Sequence, residues 1–184
     1  GVGVGTLTDI LSAIRHNVYD NRHFAMKDLL EALKQNFVGY ETLRQRVLNR
    51  TPKFGNDDDY ADSLMKRVFE AYFEAVDGRP TPRGGTYRIN LLPTTAHIYF
   101  GKMTGATADG RLAGDAVSEG VSPVQGADRL GPTAVIKSAA KIDHLRTGGT
   151  LLNQKFTPQL LAGEEGIVRI GQLVRTYFRM KGHH

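Results

Sequence analysis

Charged side chains of both signs sit inside one stretch that has no other pattern. GKMTGATADGRLAGDAVSEGVSPVQGADRLGPTAV runs from Gly101 to Val135 and carries Asp109, Arg111, Asp115, Glu119, Asp128 and Arg129. Carboxylates and guanidinium groups this close can form charge-assisted hydrogen bonds or hold a charged ligand, but only on backbone that is itself fixed. Seven of the 35 residues are Gly and two are Pro, and neither a helical nor an alternating period runs through them. Irregular backbone of this length between patterned regions is either functional or disordered.

Other chemistry-bearing patterns are weaker. GVGVG at residues 1–5 suggests a phosphate loop, yet no strand precedes it and its third Gly falls one position early for GxGxxG. NDDDYAD has the carboxylates of a calcium loop but lacks the central Gly and the terminal bidentate Glu. A helix start fits it better, with Asp57 as N-cap and Asp58 and Asp59 facing the positive end of the helix dipole. His97 can reach a pocket or serve as a structural histidine. His183 and His184 are adjacent and would point different ways on a helix, a poor arrangement for a metal. The chain has no Cys, which removes disulfides, Cys metal sites and a Cys nucleophile. No Ser/His/Asp arrangement stands out. Taken by its residues alone, the chain has no catalytic constellation and no metal site.

Those residues must be positioned by ordinary elements. The chain has 184 residues, 40% hydrophobic and 23% charged, typical of one globular domain with a real core. The net charge of +5 is spread without a basic tract or aromatic interleaving, so no nucleic-acid partner is expected. No apolar run approaches the length of about 18 that a membrane span needs. A disulfide-free chain without a signal peptide reads as cytoplasmic. It starts without Met and stops at MKGHH, so both ends look cut, as from a truncated gene.

Apolar residues at three- and four-residue spacing predict helices. The first covers Thr8 to Tyr19, capped by Thr6 and burying Leu7, Ile10, Leu11, Ile14 and Val18. The others cover Met26 to Phe37, Glu41 to Leu48, Asp57 to Val76, Pro132 to Ile142 and Glu164 to Met180. The last should turn Ile167, Ile170, Leu173, Val174, Tyr177 and Phe178 inward. TYRINLLPTTAHIYF, from Thr86 to Phe100, is rich in β-branched and aromatic residues and predicts a strand broken at Pro93. GGTLLNQKF predicts a second, short strand. Two strands make no stable sheet alone, so the chain reads as part of a larger α/β architecture.

The glycine-rich stretch resembles the C-terminal block of the pyruvate formate-lyase-like glycyl radical enzymes. Gly101, Gly105, Ala106, Thr107, Asp109, Gly110, Arg111, Ala113 and Gly114 fit its first part. Gly120, Ser122, Pro123, Gly126, Asp128 and the run Gly131 to Val135 fit the remainder. Ala108 and Ala116 stand where that pattern usually has Pro. FGNDDDYAD, PRGGTYR, GTLLNQKFTP and LVRTYFRMKGHH are similar to further segments in the same order, so the likeness covers nearly the whole chain.

The resemblance implies an α/β fold, here a mostly helical part of a ten-stranded α/β barrel. Residues 1–108 would be the C-terminal part of the barrel domain, and 109–184 the N-terminal part of the glycine radical domain. It implies a homodimer and a radical-SAM activase, itself carrying an iron-sulfur cluster, that installs a glycyl radical. The activity implied is radical C–O, C–N or C–C cleavage of a small substrate by a dehydratase, lyase or formate acetyltransferase. GNDDDYAD and GTLLNQKF look more like the dehydratase and lyase branch. The family's thiyl Cys and its R-V-x-G-Y radical motif are both missing, so none of the 21 glycines is the radical site. An inactive fragment or an accessory subunit is the alternative.

Leu92, Thr94 and Thr95 are the implied substrate contacts, with plain barrel core equally open. Asp109, Gly110, Arg111 and Gly114 are expected to pack against the radical loop. The two glycines should tolerate a side chain least. Arg111 should be buried on a carboxylate or on several backbone carbonyls, since an unpaired buried guanidinium is too costly to keep.

Overall fold

A computed structural model describes residues 1–182; His183 and His184, the metal candidates at the end of the sequence, lie outside the described residues. Seven α-helices follow in order: α1 (Val4–Ile14), α2 (Met26–Lys34), α3 (Glu41–Asn49), α4 (Asp59–Val76), α5 (Ala96–Lys102), α6 (Pro132–Ala139) and α7 (Gly163–Arg179). A π-helical turn, Arg15–Asp20, prolongs α1. α1 packs along α4. Phe54, Met65, Phe69, Ile89, Leu91, Val121 and Ile136 form the centre of the core.

The helix starts differ from expectation. α1 begins at Val4 behind Gly3, whose φ is 78°, so Thr6 lies inside the helix and caps nothing. Thr6 instead exchanges two hydrogen bonds with Ser118: its N–H donates to Ser118 Oγ (2.9 Å), and the Ser118 N–H donates to Thr6 Oγ1 (2.8 Å). Asp58, one residue later than expected, caps α4 by accepting from the Tyr60 N–H at 2.9 Å. Asp57 turns away and pairs with Lys137 (2.9 Å) and Lys141 (3.2 Å), which ties the start of α4 to α6.

One helix face is reversed, and a second is only partly covered. α1 buries Thr8, Asp9, Ser12 and Ala13 and leaves Leu7 44% and Leu11 37% exposed. Most of the buried polar atoms on this face are hydrogen-bonded. Thr8 Oγ1 donates to Val4 O (2.9 Å), Ser12 Oγ to Pro52 O (2.6 Å), and Asp9 Oδ1 accepts the Phe54 N–H (2.9 Å). The leucines line an apolar groove of about 770 Å³ with Leu64, Val68 and Tyr72. α7 buries Tyr177 and packs Leu173 against the core, as expected, but leaves Ile167, Val174 and Phe178 exposed.

No β-strand runs through the described residues. The expected strand from Thr86 to Phe100 reduces to isolated bridges, Pro80 with Thr86 and Leu91 with Thr150. Pro93 has no N–H to donate, Thr94 adopts φ 50°, and the chain then coils into α5. The expected strand at GGTLLNQKF contributes only Thr150 to the second bridge. Around it Gly148 N donates to Ile89 O (2.7 Å), Leu91 N to Gly149 O (2.9 Å) and Val121 N to Leu151 O (2.9 Å). Three extended stretches thus meet at Gly120. Its φ is 51°, and a Cβ there would collide with the carbonyl oxygens of Leu151 and Leu91.

Candidate functional site

The glycine-rich loop between α5 and α6 wraps one side of a cleft of about 1290 Å³, whose walls include Asp9, Arg44, Lys53, His97, Asp109, Arg111 and Glu119. The loop is pinned from within by Arg111, 6% exposed. Nη1 donates to Leu112 O (3.0 Å) and Asp115 O (2.6 Å), and Nη2 donates to Thr104 O (3.3 Å) and to Gly105 O. Nε donates to Thr107 Oγ1 at 3.1 Å. Arg111 is buried on several carbonyls, as expected. It meets Asp109 through Thr107, whose hydroxyl donates to Asp109 Oδ1 at 2.5 Å. One guanidinium thereby closes the loop on itself over twelve residues, from Thr104 to Asp115.

The same loop is pinned from outside. Lys53 Nζ donates to Asp109 O (3.0 Å), Arg44 Nε to Gly110 O (2.8 Å), and Ala113 N to Asn36 Oδ1 (2.8 Å). Gly110 and Gly114 both have positive φ, 97° and 86°. A Cβ on Gly110 would press into the Leu48 side chain at 2.8 Å, whereas one on Gly114 would meet open space. Backbone conformation alone therefore restricts Gly114, and conformation with crowding restricts Gly110.

Asp9 is the residue that sequence reasoning missed. It reaches the cleft wall from the buried face of α1, and its Oδ2 is buried without a partner. Burial pushes its carboxyl up to about 7, against the opposing pull of Lys53 and of the Phe54 N–H. The available signal was its spacing with Thr8 and Ser12, which marks one helix face; that face was polar and read as outward.

The expected substrate contacts do not line this cleft. Leu92 is half-buried, and Thr94 and Thr95 are exposed just before α5. The φ of 50° at Thr94 is a left-handed conformation that β-branched residues rarely adopt. His97, two residues after Thr95, does reach the cleft. No helix is long and apolar enough to cross a membrane among the described residues.

This arrangement has counterparts. Residues 1–101 match the pyruvate formate lyase-like family model, and residues 117–184 match the glycine radical model. The chain therefore belongs to the pyruvate formate lyase-like family. Within it, trans-4-hydroxy-L-proline dehydratase of Clostridioides difficile is 58% identical over 184 residues, all of this chain and 23% of the relative. (2S)-3-sulfopropanediol dehydratase of Klebsiella oxytoca is 36% identical, over 99% of this chain and 23% of the relative. The solved hydroxyproline dehydratase of C. difficile with its substrate bound superposes with a TM-score of 0.98, over all of this chain and 23% of that one. A glycyl radical enzyme from Archaeoglobus fulgidus superposes with a TM-score of 0.90 at 37% identity, over 99% of this chain and 23% of that one. The chain thus spans less than a quarter of the length of these relatives.

Proposed function

We propose that this chain is part of a glycyl radical dehydratase, and that trans-4-hydroxy-L-proline is the first substrate to test. The observation that carries this reading is 58% identity with a TM-score of 0.98 along the whole chain, glycine-rich loop included. In the complete enzyme this chain would form part of a ten-stranded barrel within a cytoplasmic homodimer. A radical-SAM activase with an iron-sulfur cluster would install the glycyl radical, which supplies the hydrogen-atom abstraction that starts the reaction.

The chain's own residues would hold and exclude. Arg111, with Asp109 and the turns at Gly110 and Gly114, makes the loop a rigid shelf on which backbone can approach backbone. Such a shelf would pack against the radical loop and keep water and oxygen away. Leu92, Thr94 and Thr95 would face the substrate from a different side.

The test is anaerobic activation of the complete enzyme, with radical per dimer counted by electron paramagnetic resonance and turnover measured on the same preparation. The expected result is a doublet radical signal with dehydration of trans-4-hydroxy-L-proline. Arg111→Ala should lower radical yield or lifetime and leave the KM near its original value. A normal radical without turnover of that substrate overturns the substrate assignment. Normal radical content with a raised KM in Arg111→Ala places Arg111 in the substrate site and overturns the packing role.

A further inference from the structure

His97 stands in the first turn of α5 with both ring nitrogens engaged. Nδ1 lies 3.0 Å from Thr94 O. A carbonyl only accepts, so Nδ1 carries a hydrogen. Nε2 lies 3.3 Å from Glu119 Oε2, within ion-pair distance. The two side chains are only 18% and 19% exposed, and Glu119 Oε1 is buried without a partner.

The residue His97 grips is the strained one. Left-handed backbone at a β-branched residue is strained and persists only where its surroundings impose it. At Thr94 those surroundings are its own hydroxyl on Pro93 O (2.7 Å) and the imidazole on its carbonyl. Glu119 anchors that imidazole to the glycine-rich loop. α5 meets the loop twice more: Val117 N donates to His97 O at 3.3 Å, and a Cβ on Gly101 would collide with the Asp115 carbonyl. The helix is therefore seated on the loop along its length, with the His97–Glu119 pair at its Thr94 end.

We propose that His97 and Glu119 are a positioning pair for substrate binding. They hold the strained Thr94–Thr95 turn in register with the glycine-rich loop and touch no substrate themselves. This rests on the reading that Thr94 and Thr95 face the substrate.

The test uses the complete enzyme without its radical. Binding of trans-4-hydroxy-L-proline, glycerol and 1,2-propanediol is measured by calorimetry, followed by KM, kcat and radical per dimer after activation. Glu119→Ala, and His97→Asn, which keeps a donor near Thr94 O but cannot reach Glu119, should raise Kd and KM roughly ten- to a hundredfold. Radical content should stay at the parent level. Glu119→Gln can donate to Nε2 while Nδ1–H stays on Thr94 O, so it should recover most of the affinity. Equal losses in Glu119→Ala and Glu119→Gln, or a fall in radical content with unchanged Kd, overturn the pair. Thr95→Val separates the two readings. If it weakens binding while Glu119→Ala does not, the pair falls and the pocket stands. If it leaves Kd unchanged, or if the parent binds none of the three compounds, the pocket falls and the pair with it.

Discussion

Asp9 shows what one residue's surroundings do to its chemistry. Its carboxyl moves from an ordinary value of 3.8 to about 7 because burial outweighs Lys53 and the Phe54 N–H. Between those two values the folded chain binds more protons than the unfolded chain. Asp9's contribution to stability therefore declines as pH rises through that window and levels off above about 7. Asp9→Asn removes the charge and keeps an oxygen for the Phe54 N–H. The variant should gain on the parent between pH 5 and pH 8, read as a rising difference in urea midpoint. An unchanged difference would show that Asp9 does not titrate there. The burial of Arg111 was legible in the sequence, because a buried guanidinium needs a carboxylate or several backbone carbonyls; which of the two it would find was not. Asp9 was not, because its partner Phe54 lies 45 residues away and no local pattern announces it.

Among the elements, long helices with an apolar period were legible, and α4 and α6 lie where the period put them, within a few residues at the ends. The segment from Thr86 to Phe100 was misread because its residue types suit strands, yet strands need neighbours and this one keeps only two isolated bridges, Thr86 to Pro80 and Leu91 to Thr150. Tertiary context overrode propensity there. The crossing at Gly120 offers a sharp test. Its would-be Cβ meets carbonyl oxygens of the backbone, which cannot rotate aside as a side chain can. Gly120→Ala should cost about 3 kcal/mol or more. Gly114→Ala, restricted by backbone conformation alone, should cost about 1 kcal/mol. Urea unfolding of both variants checks this, and equal losses would mean that the close approach is not what fixes the loop.

At the scale of the whole molecule, the apolar side chains left exposed on α1, α5 and α7 have one cause. Leu7, Leu11, Ile98, Phe100, Ile167, Val174 and Phe178 are exposed, and the chain spans only 23% of its hydroxyproline dehydratase relative. Apolar patches of this kind mark contact surfaces, here for the remainder of the polypeptide. The helical period located the stripes of α1 and α7, whereas Ile98 and Phe100 of α5 lie in the segment read as a strand. The 184 residues alone should therefore self-associate, giving species larger than 20.2 kDa by light scattering coupled to size exclusion. A monomer with a sharp two-state melt would count against it. The paired hydrogen bonds between Thr6 and Ser118 join positions 112 residues apart. Closing a loop that long costs about 4 kcal/mol in chain entropy. Such a contact forms only after the intervening helices have drawn its ends together. The wall of the cleft is thus set late in the order of assembly, and any conditions that trap this chain part-way should leave its helices in place and its site unmade.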